Sequence, residues 1–398
     1  MEVNAQTART ISLPASKERT EGLSLCHFTT ARGPLKSRAF HRECLPLAAA
    51  GVAVRYAAPM DARGRRDGVD FVALPRPQSR ARRLLAVPLL LRDLLRQGAS
   101  IYHFQEPELM PAALALKLIF GKRVVYDAYE DFPSMAANKA AIPCLLRPLA
   151  AAIVAAAEKL AAHCFDGVMT ADPLTLRRLA RSGTSTKLVF YNFPNLDFFP
   201  PPVPREKLFD VVYRGGLSAR AGTFVLLGAM GLLAGARAKP PRLLLIGYFD
   251  SAAAEKQVRE RIRDLGLESC VEIRGRLGHE DMAGALGEAR IGVCPLQPNP
   301  KFLRNIPVKV FEYWACGLPV VASNLPPIRP FFRNVCAGFL FRPGCAAGLA
   351  DRIDWLMDYP EAAARMGREG RAAIATRFNN SGEVRKLRNF FARVALDS

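Results

Sequence analysis

The chain predicts an α/β protein built as two Rossmann-like, doubly wound parallel-sheet domains facing across a cleft. Three observations carry this. Short apolar runs alternate with helical segments along the chain, the alternation restarts after a proline cluster at Pro200–Pro202 and Pro204, and 398 residues suffice for two cores.

The first strand is SLCHFTT (24–30), followed by a polar, glycine-containing loop and an amphipathic helix from about Ser37 to Ala49. VAVRYAAP, ASIYHF, KRVVYDA and DGVMTA continue as short apolar strands with helical segments between them. The prolines of LVFYNFPNLDFFPPPVPREKLFD make a stiff, extended linker. The pattern then resumes with FDVVYRGG, RLLLIGYF, CVEIRGRL, IGVCPL and LPVVAS, each followed by a helix. The expected division is a flexible tail over 1–22, a first domain over 23–199, a linker over 200–206 and a second domain over 207–375. A closing helix over 376–398 is expected to pack back on the first domain. Ligands of such sheets bind at the carboxyl ends of the strands, here between the domains.

Composition narrows the function classes. Half the residues are apolar, and Pro (30) and Gly (29) are scattered, so the chain is globular. Nine cysteines without a CxxC pair form neither a disulfide framework nor a zinc site, and five separated histidines without HExxH argue against a metal enzyme. MEVNAQTARTISLPASKERTEG has no apolar core and does not read as a signal peptide. No run reaches the roughly 20 apolar residues that span a bilayer. The nearest, PCLLRPLAAAIVAAAEKLAAHCF, is broken by Arg147, Glu158 and Lys159.

Lys and Arg number 56 against 36 Asp and Glu, a formal charge of +20 that points to an anionic partner. The densest block carries nine arginines between Arg63 and Arg96. Its second half sets Arg80, Arg82, Arg83, Arg92 and Arg96 among Leu-rich runs, a pattern that suits anionic lipid headgroups. A core helix with a solvated basic edge is the alternative. No motif for reading nucleic acid accompanies the charge.

One stretch holds the most chemistry: NIPVKVFEYWACGLPVVAS (305–323). Pro307 suits the first turn of a helix running to about Ala315 and stopping at Gly317. The amino end, Arg304, Asn305, Ile306, Pro307 and Val308, offers unbonded N–H groups, from all of these but Pro307, and a positive dipole end to a phosphate. Lys309 and Glu312 share a face. Glu312 either accepts the two hydroxyls of a ribose whose diphosphate sits at the helix start, or forms an intrahelical pair with Lys309.

IPVKVFEYWACGLPVVASNLPP resembles the donor-site signature of family-4, retaining, nucleotide-sugar glycosyltransferases of the GT-B fold. Pro307, Lys309, Phe311, Glu312, Tyr313, Ala315, Gly317, Pro319, Val320, Ala322 and Ser323 match, and Trp314 replaces the usual methionine. SRAFHRECLPLAAAGVAVRYAAP, IYHFQEPELMP, KRVVYDAYEDFP and the segment from GFLFRPGC to GRAAI extend the likeness over most of residues 24–395. There are departures. The second glutamate that many relatives carry is Arg304 here. Gly216 and Ala221 stand where relatives place basic residues, and Gln105 and Tyr129 replace two histidines.

The resemblance implies a cytoplasmic enzyme, peripheral on the inner face of the cytoplasmic membrane. It would transfer a hexose with retention from a nucleotide sugar to a saccharide or polyprenyl-diphosphate-linked saccharide, with no metal or other cofactor. The first domain would face acceptor and membrane, and the second would bind the donor. Lys309, Arg304, Arg220, Tyr129 and His103 are the implied catalytic residues. The donor contacts are Glu312, Asn305, Ile306, Pro307, Val308, Gly33, Arg214 and Gly216. Asp127, Glu130 and Arg38 are candidates for acceptor or sugar, with helix capping as the alternative for the acids. Two rivals stand beside this: a catalytically silent relative that binds nucleotide or saccharide or serves as a scaffold, and an epimerase or dinucleotide oxidoreductase. The last lacks a GxGxxG after a strand.

Overall fold

The structure, a computed structural model, describes residues 22–30, 39–60, 63–74, 87–137, 142–179, 186–202 and 206–396. The expected tail, Gly33, Arg38, Arg80, Arg82 and Arg83 lie outside the described residues, Gly22 of the tail apart.

Eight strands form the first sheet: β1 Ser24–Phe28, β2 Ala53–Pro59, β3 Gly64–Arg66, β4 Val69–Leu74, β5 Ile101–Phe104, β6 Arg123–Ala128, β7 Gly167–Thr170 and β8 Thr186–Val189. Their order is β3-β4-β2-β1-β5-β6-β7-β8, and every pairing is parallel except β3 with β4. That hairpin occupies the front of the arginine block. Its turn is Asp67-Gly68, with φ of 50° and 81°, the left-handed pair that a two-residue hairpin needs. It was not anticipated, because the block reads first as charge.

Both faces of this sheet are covered. Phe104, Tyr126 and Val168 pack under helices Val87–Leu95, Met110–Leu118 and Arg147–Cys164. On the other face Tyr56, Val125 and Met169 meet Phe40 and the closing helix Asn380–Leu396, which contributes Leu387, Phe390, Phe391 and Val394. All four are buried, each contributing about 1.5–3 kcal/mol relative to exposure.

The second sheet comprises β9 Phe209–Leu217, β10 Leu243–Phe249, β11 Val271–Arg274, β12 Ala289–Cys294, β13 Val320–Ser323 and β14 Gly338–Phe341. It is wholly parallel, in the order β11-β10-β9-β12-β13-β14. Strand order reverses between β1 and β5 in one sheet and between β9 and β12 in the other. Crevices open at the carboxyl ends of strands at such points.

Candidate functional site

Helix Val308–Ala315 carries the site because its two faces differ. Val310, Phe311, Tyr313 and Trp314 are buried in the second core. Pro307 stands at the N-cap, extended at φ −75°, ψ 105°, one position before the expected helix start. The Trp314 indole donates to Ala337 O at 3.0 Å. Its ring lies where a Cβ on Gly370 would intrude to 2.7 Å, so a glycine on the 360–376 helix makes room for the unusual tryptophan.

Lys309 leaves this helix toward the cleft. Its Nζ donates to Tyr213 Oη at 3.0 Å and sits 4.2 Å from the Tyr213 ring centroid. The amine rests on Gly215, whose φ of 139° favours glycine and whose added Cβ would come within 2.7 Å of Nζ. Strand β9 thus supplies a backbone floor on which a cation is held, without a carboxylate among the described residues.

Around it opens a cavity of about 480 Å³, within the range of small-molecule sites. Tyr213, Gly216, Arg220, Asp250, Lys301, Asn305, Ile306, Pro307, Val308 and Lys309 line it from the second domain, and Tyr129, Glu130 and Asp172 from the first. Arg220 donates to Asp250 at 2.9 Å but stays largely exposed. Ala221 also lines the cavity. The sequence reading missed Lys301, Tyr213 and Asp250. Lys301 stands three residues before Arg304, in a loop whose direction no periodicity reveals.

The walls are joined across the cleft. Arg304 donates to Asp131 at 2.7 Å, Asn305 to Glu130 at 3.2 Å, and Lys301 lies 3.5 Å from Glu130. Arg304 is therefore committed to the opposite wall and is not among the cavity's lining, which corrects its expected place beside the donor.

Glu312 requires a larger correction. It is only 3% exposed and does not line the cavity. Its carboxylate accepts from Arg214 Nη1 rather than facing Lys309 or a ligand. A buried carboxylate needs a partner, and β9 supplies one from the residue before Gly215. The Arg214 backbone N–H donates to Tyr313 Oη at 2.8 Å, and burial drives the Tyr313 pKa well up, so the phenol stays protonated. Arg214 thus holds Glu312 and, like it, is not among the cavity's lining, which corrects its expected donor contact.

His103 and Asp127 are also corrected. Both are fully buried in the first domain, away from the cavity. His103 Nδ1 lies 3.0 Å from His27 Nδ1, and Gln105 Nε2 bridges Asp127 at 2.6 Å and Glu43 at 3.3 Å. Glu43, His103 and Asp127 offer ligand atoms within 4.8 Å of one another, so the chemistry would fit a cation. A neutral amide already occupies the space between the two carboxylates. Beside them Glu106, bonded by Thr29 at 2.6 Å, is pushed up to about 7 by burial. Of the membrane candidates, Arg92 and Arg96 are exposed and share Asp93.

Residues 209–359 match the sequence family described as "Glycosyl transferases group 1". Over 152 residues the chain is 32% identical to "Amylovoran biosynthesis glycosyltransferase AmsK" of Erwinia amylovora, a stretch spanning 38% of this chain and 37% of that relative. The likeness of fold is wider. Sucrose-phosphate synthase from Thermosynechococcus elongatus superposes with a TM-score of 0.73 at 19% identity, covering 94% of this chain and 100% of its own. Anabaena HepE, solved in complex with UDP, gives 0.67 at 15% identity, covering 93% and 100%. The fold is that of GT-B glycosyltransferases, two parallel-sheet α/β domains.

Proposed function

We propose that the chain is a retaining, metal-independent hexosyltransferase. It takes a hexose from a nucleotide-diphosphate sugar to a saccharide or lipid-linked saccharide in cell-surface polysaccharide synthesis. The observation that carries this is the cation set in the interdomain cavity: Lys309 on its glycine floor, with Arg220 and Lys301 around the start of helix Val308–Ala315. Such a set suits a diphosphate. The match of residues 209–359, the name of the Erwinia relative and the UDP in the Anabaena structure support the class of donor and of pathway.

In this reading the diphosphate lies against Asn305 to Val308 and Lys309, with Gly216 giving the backbone close approach. As the anomeric C–O bond breaks, its electron pair goes to the diphosphate oxygen. Lys309, Arg220, Lys301 and the helix end stabilise that charge, which is the largest contribution such a site makes. The acceptor oxygen bonds to the anomeric carbon from the same face, and its proton passes to the departing phosphate. Tyr129 and Glu130 face this point from the first domain, where Tyr129 can hydrogen-bond the sugar but is a poor base. Arg304 joins the cation set if the donor displaces it from Asp131. Gly33 and Arg38 remain candidates for donor and acceptor contacts.

A second reading, a binding protein without turnover, is favoured by the Arg214–Glu312 lock, which withholds from the cavity the carboxylate expected to hold ribose. Calorimetry with UDP and GDP, together with radiolabel transfer from UDP-, GDP- and dTDP-hexoses to a membrane extract, separates the two. Binding with transfer is the expected result. Binding without transfer or donor hydrolysis selects the silent reading, and neither binding nor transfer ends both.

A further inference from the structure

No helix of the described residues is long and apolar enough to cross a membrane, yet one presents a bare aliphatic face. Helix Arg147–Cys164 and the turn before it expose Leu145 (93%), Leu149 (58%), Ile153 (59%) and Leu160 (71%). Positions 149, 153 and 160 fall on one side of a 3.6-residue repeat, with the exposed Ala152 and Ala156 between them. Only Glu158, Ala161 and Ala162 of its eighteen residues are buried. The other side rests on the first sheet, so the stripe from Leu149 to Leu160 faces outward for about 17 Å. Leu118, Ile119 and Phe120, at the end of the neighbouring Met110–Leu118 helix, are exposed too.

Charge identifies the occupant. The acids on the three helices of this layer are all occupied: Glu158 is buried against Tyr126 and Arg178, and Asp93 is shared by Arg92 and Arg96. Lys159, Arg92 and Arg96 are exposed. An aliphatic stripe edged by Lys159, in a layer whose Arg92 and Arg96 lie one helix further out and whose three helices carry no exposed carboxylate, is the chemistry of a helix lying flat in an anionic bilayer surface. A protein partner that buried this face would have to accept the same unbalanced positive charge.

Topology adds an orientation. The helix returns the chain from the carboxyl end of β6 to the amino end of β7, so its first turn, with Leu145 and Leu146, lies at the cleft end of the sheet. We propose that the outward face of helix Arg147–Cys164 is the lipid-docking surface of this chain, inserting Leu145, Leu149, Ile153 and Leu160 among anionic headgroups and presenting the cleft to an acceptor held in that surface. The acceptor part rests on the transferase reading; the docking does not. The contact thus centres on a helix other than the one bearing Arg92.

The test is flotation with vesicles of phosphatidylcholine alone and of equal parts phosphatidylcholine and phosphatidylglycerol, with no sugar donor present. The wild-type chain floats with the anionic vesicles only. The triple variant Leu149→Ser, Ile153→Ser, Leu160→Ser binds them at least about tenfold more weakly. Arg92→Gln with Arg96→Gln weakens binding by about fivefold per residue. Undiminished flotation of the triple variant overturns the proposal, as does failure of the wild type to float. A dimer that falls apart in the triple variant, without vesicle binding in the wild type, overturns it in favour of a second copy. Thermal melting of the triple variant guards against misfolding, since all three positions are exposed. Calorimetry with UDP and GDP and hexose transfer on the same samples keep the readings apart: docking with neither nucleotide binding nor transfer leaves this proposal standing and removes the transferase, and the reverse removes only the docking.

Discussion

The two walls of the cleft meet the same problem, charge at a domain boundary, in opposite ways. On the second-domain wall the position of Lys309 is set locally, by the Tyr213 ring and the Gly215 backbone, and behind it Arg214 is held by buried Glu312. The first-domain wall carries Glu130, whose partners Lys301 and Asn305 lie on the other side, and Asp131, which accepts from Arg304 there and from Ser134 of the helix it precedes. Lys309 is held within its own domain, whereas Glu130 meets Lys301 and Asn305 across the cleft. The difference suggests a division of labour in which the acids stand in for an anionic ligand while the cleft is empty. They would release their cations when one arrives.

Three substitutions probe that contrast, taken in order of expected effect. Arg214→Ala strands a buried carboxylate within the locally built wall. It should cost about 3–5 kcal/mol of stability in denaturant unfolding, with Glu312→Gln costing clearly less. Equal, small losses from both would mean the pair is not structural. Lys309→Ala removes a charge-assisted contact of about 1.5–3 kcal/mol, so UDP affinity by calorimetry should fall roughly 10- to 100-fold with little change in melting. Unchanged affinity would take the lysine out of the donor site. Asp131→Asn weakens the bridge built by closure. Asp131 is buried and Arg304 partly exposed, and the amide keeps a hydrogen-bond acceptor in place, so the loss is about 1 kcal/mol. Small-angle scattering should show a modestly larger radius of gyration for the empty protein, and none of that increase once UDP is bound. A radius identical to wild type would deny the acids a closing role.

The sequence made the second half more legible than the first. FDVVYRGG, RLLLIGYF and LPVVAS are apolar runs buried on both faces, and parallel strands of that kind announce themselves. β14, GFLF, and β8, TKLV, are four residues each, too short for a periodicity to mark them as strands. The β3–β4 hairpin was available from Asp67-Gly68 but hidden by the arginines around it.

Side chains were harder than strands. Lys309 and Glu312 do share a helix side, yet one reaches the cavity and the other ends on Arg214. That choice depends on an arginine 98 residues away in sequence, which helical spacing does not encode. His103 and Asp127 sit on strand residues near a sheet's carboxyl end, where a functional and a core role read alike. Their burial follows from Glu43 and Gln105 closing over them, a long-range meeting. The exposed stripe on helix Arg147–Cys164 was visible as composition but not as surface, because an apolar helix reads as core until its neighbours are known.

The closing helix has a consequence for synthesis. Residues 380–396 cover a face of the first sheet, although the whole second domain is translated in between. On the ribosome the later half can finish folding before the earlier one, whose Tyr56, Val125 and Met169 stay uncovered until the last segment emerges. A premature stop just before Asn380 would therefore injure the part of the protein made first, and chaperone demand should fall on that half.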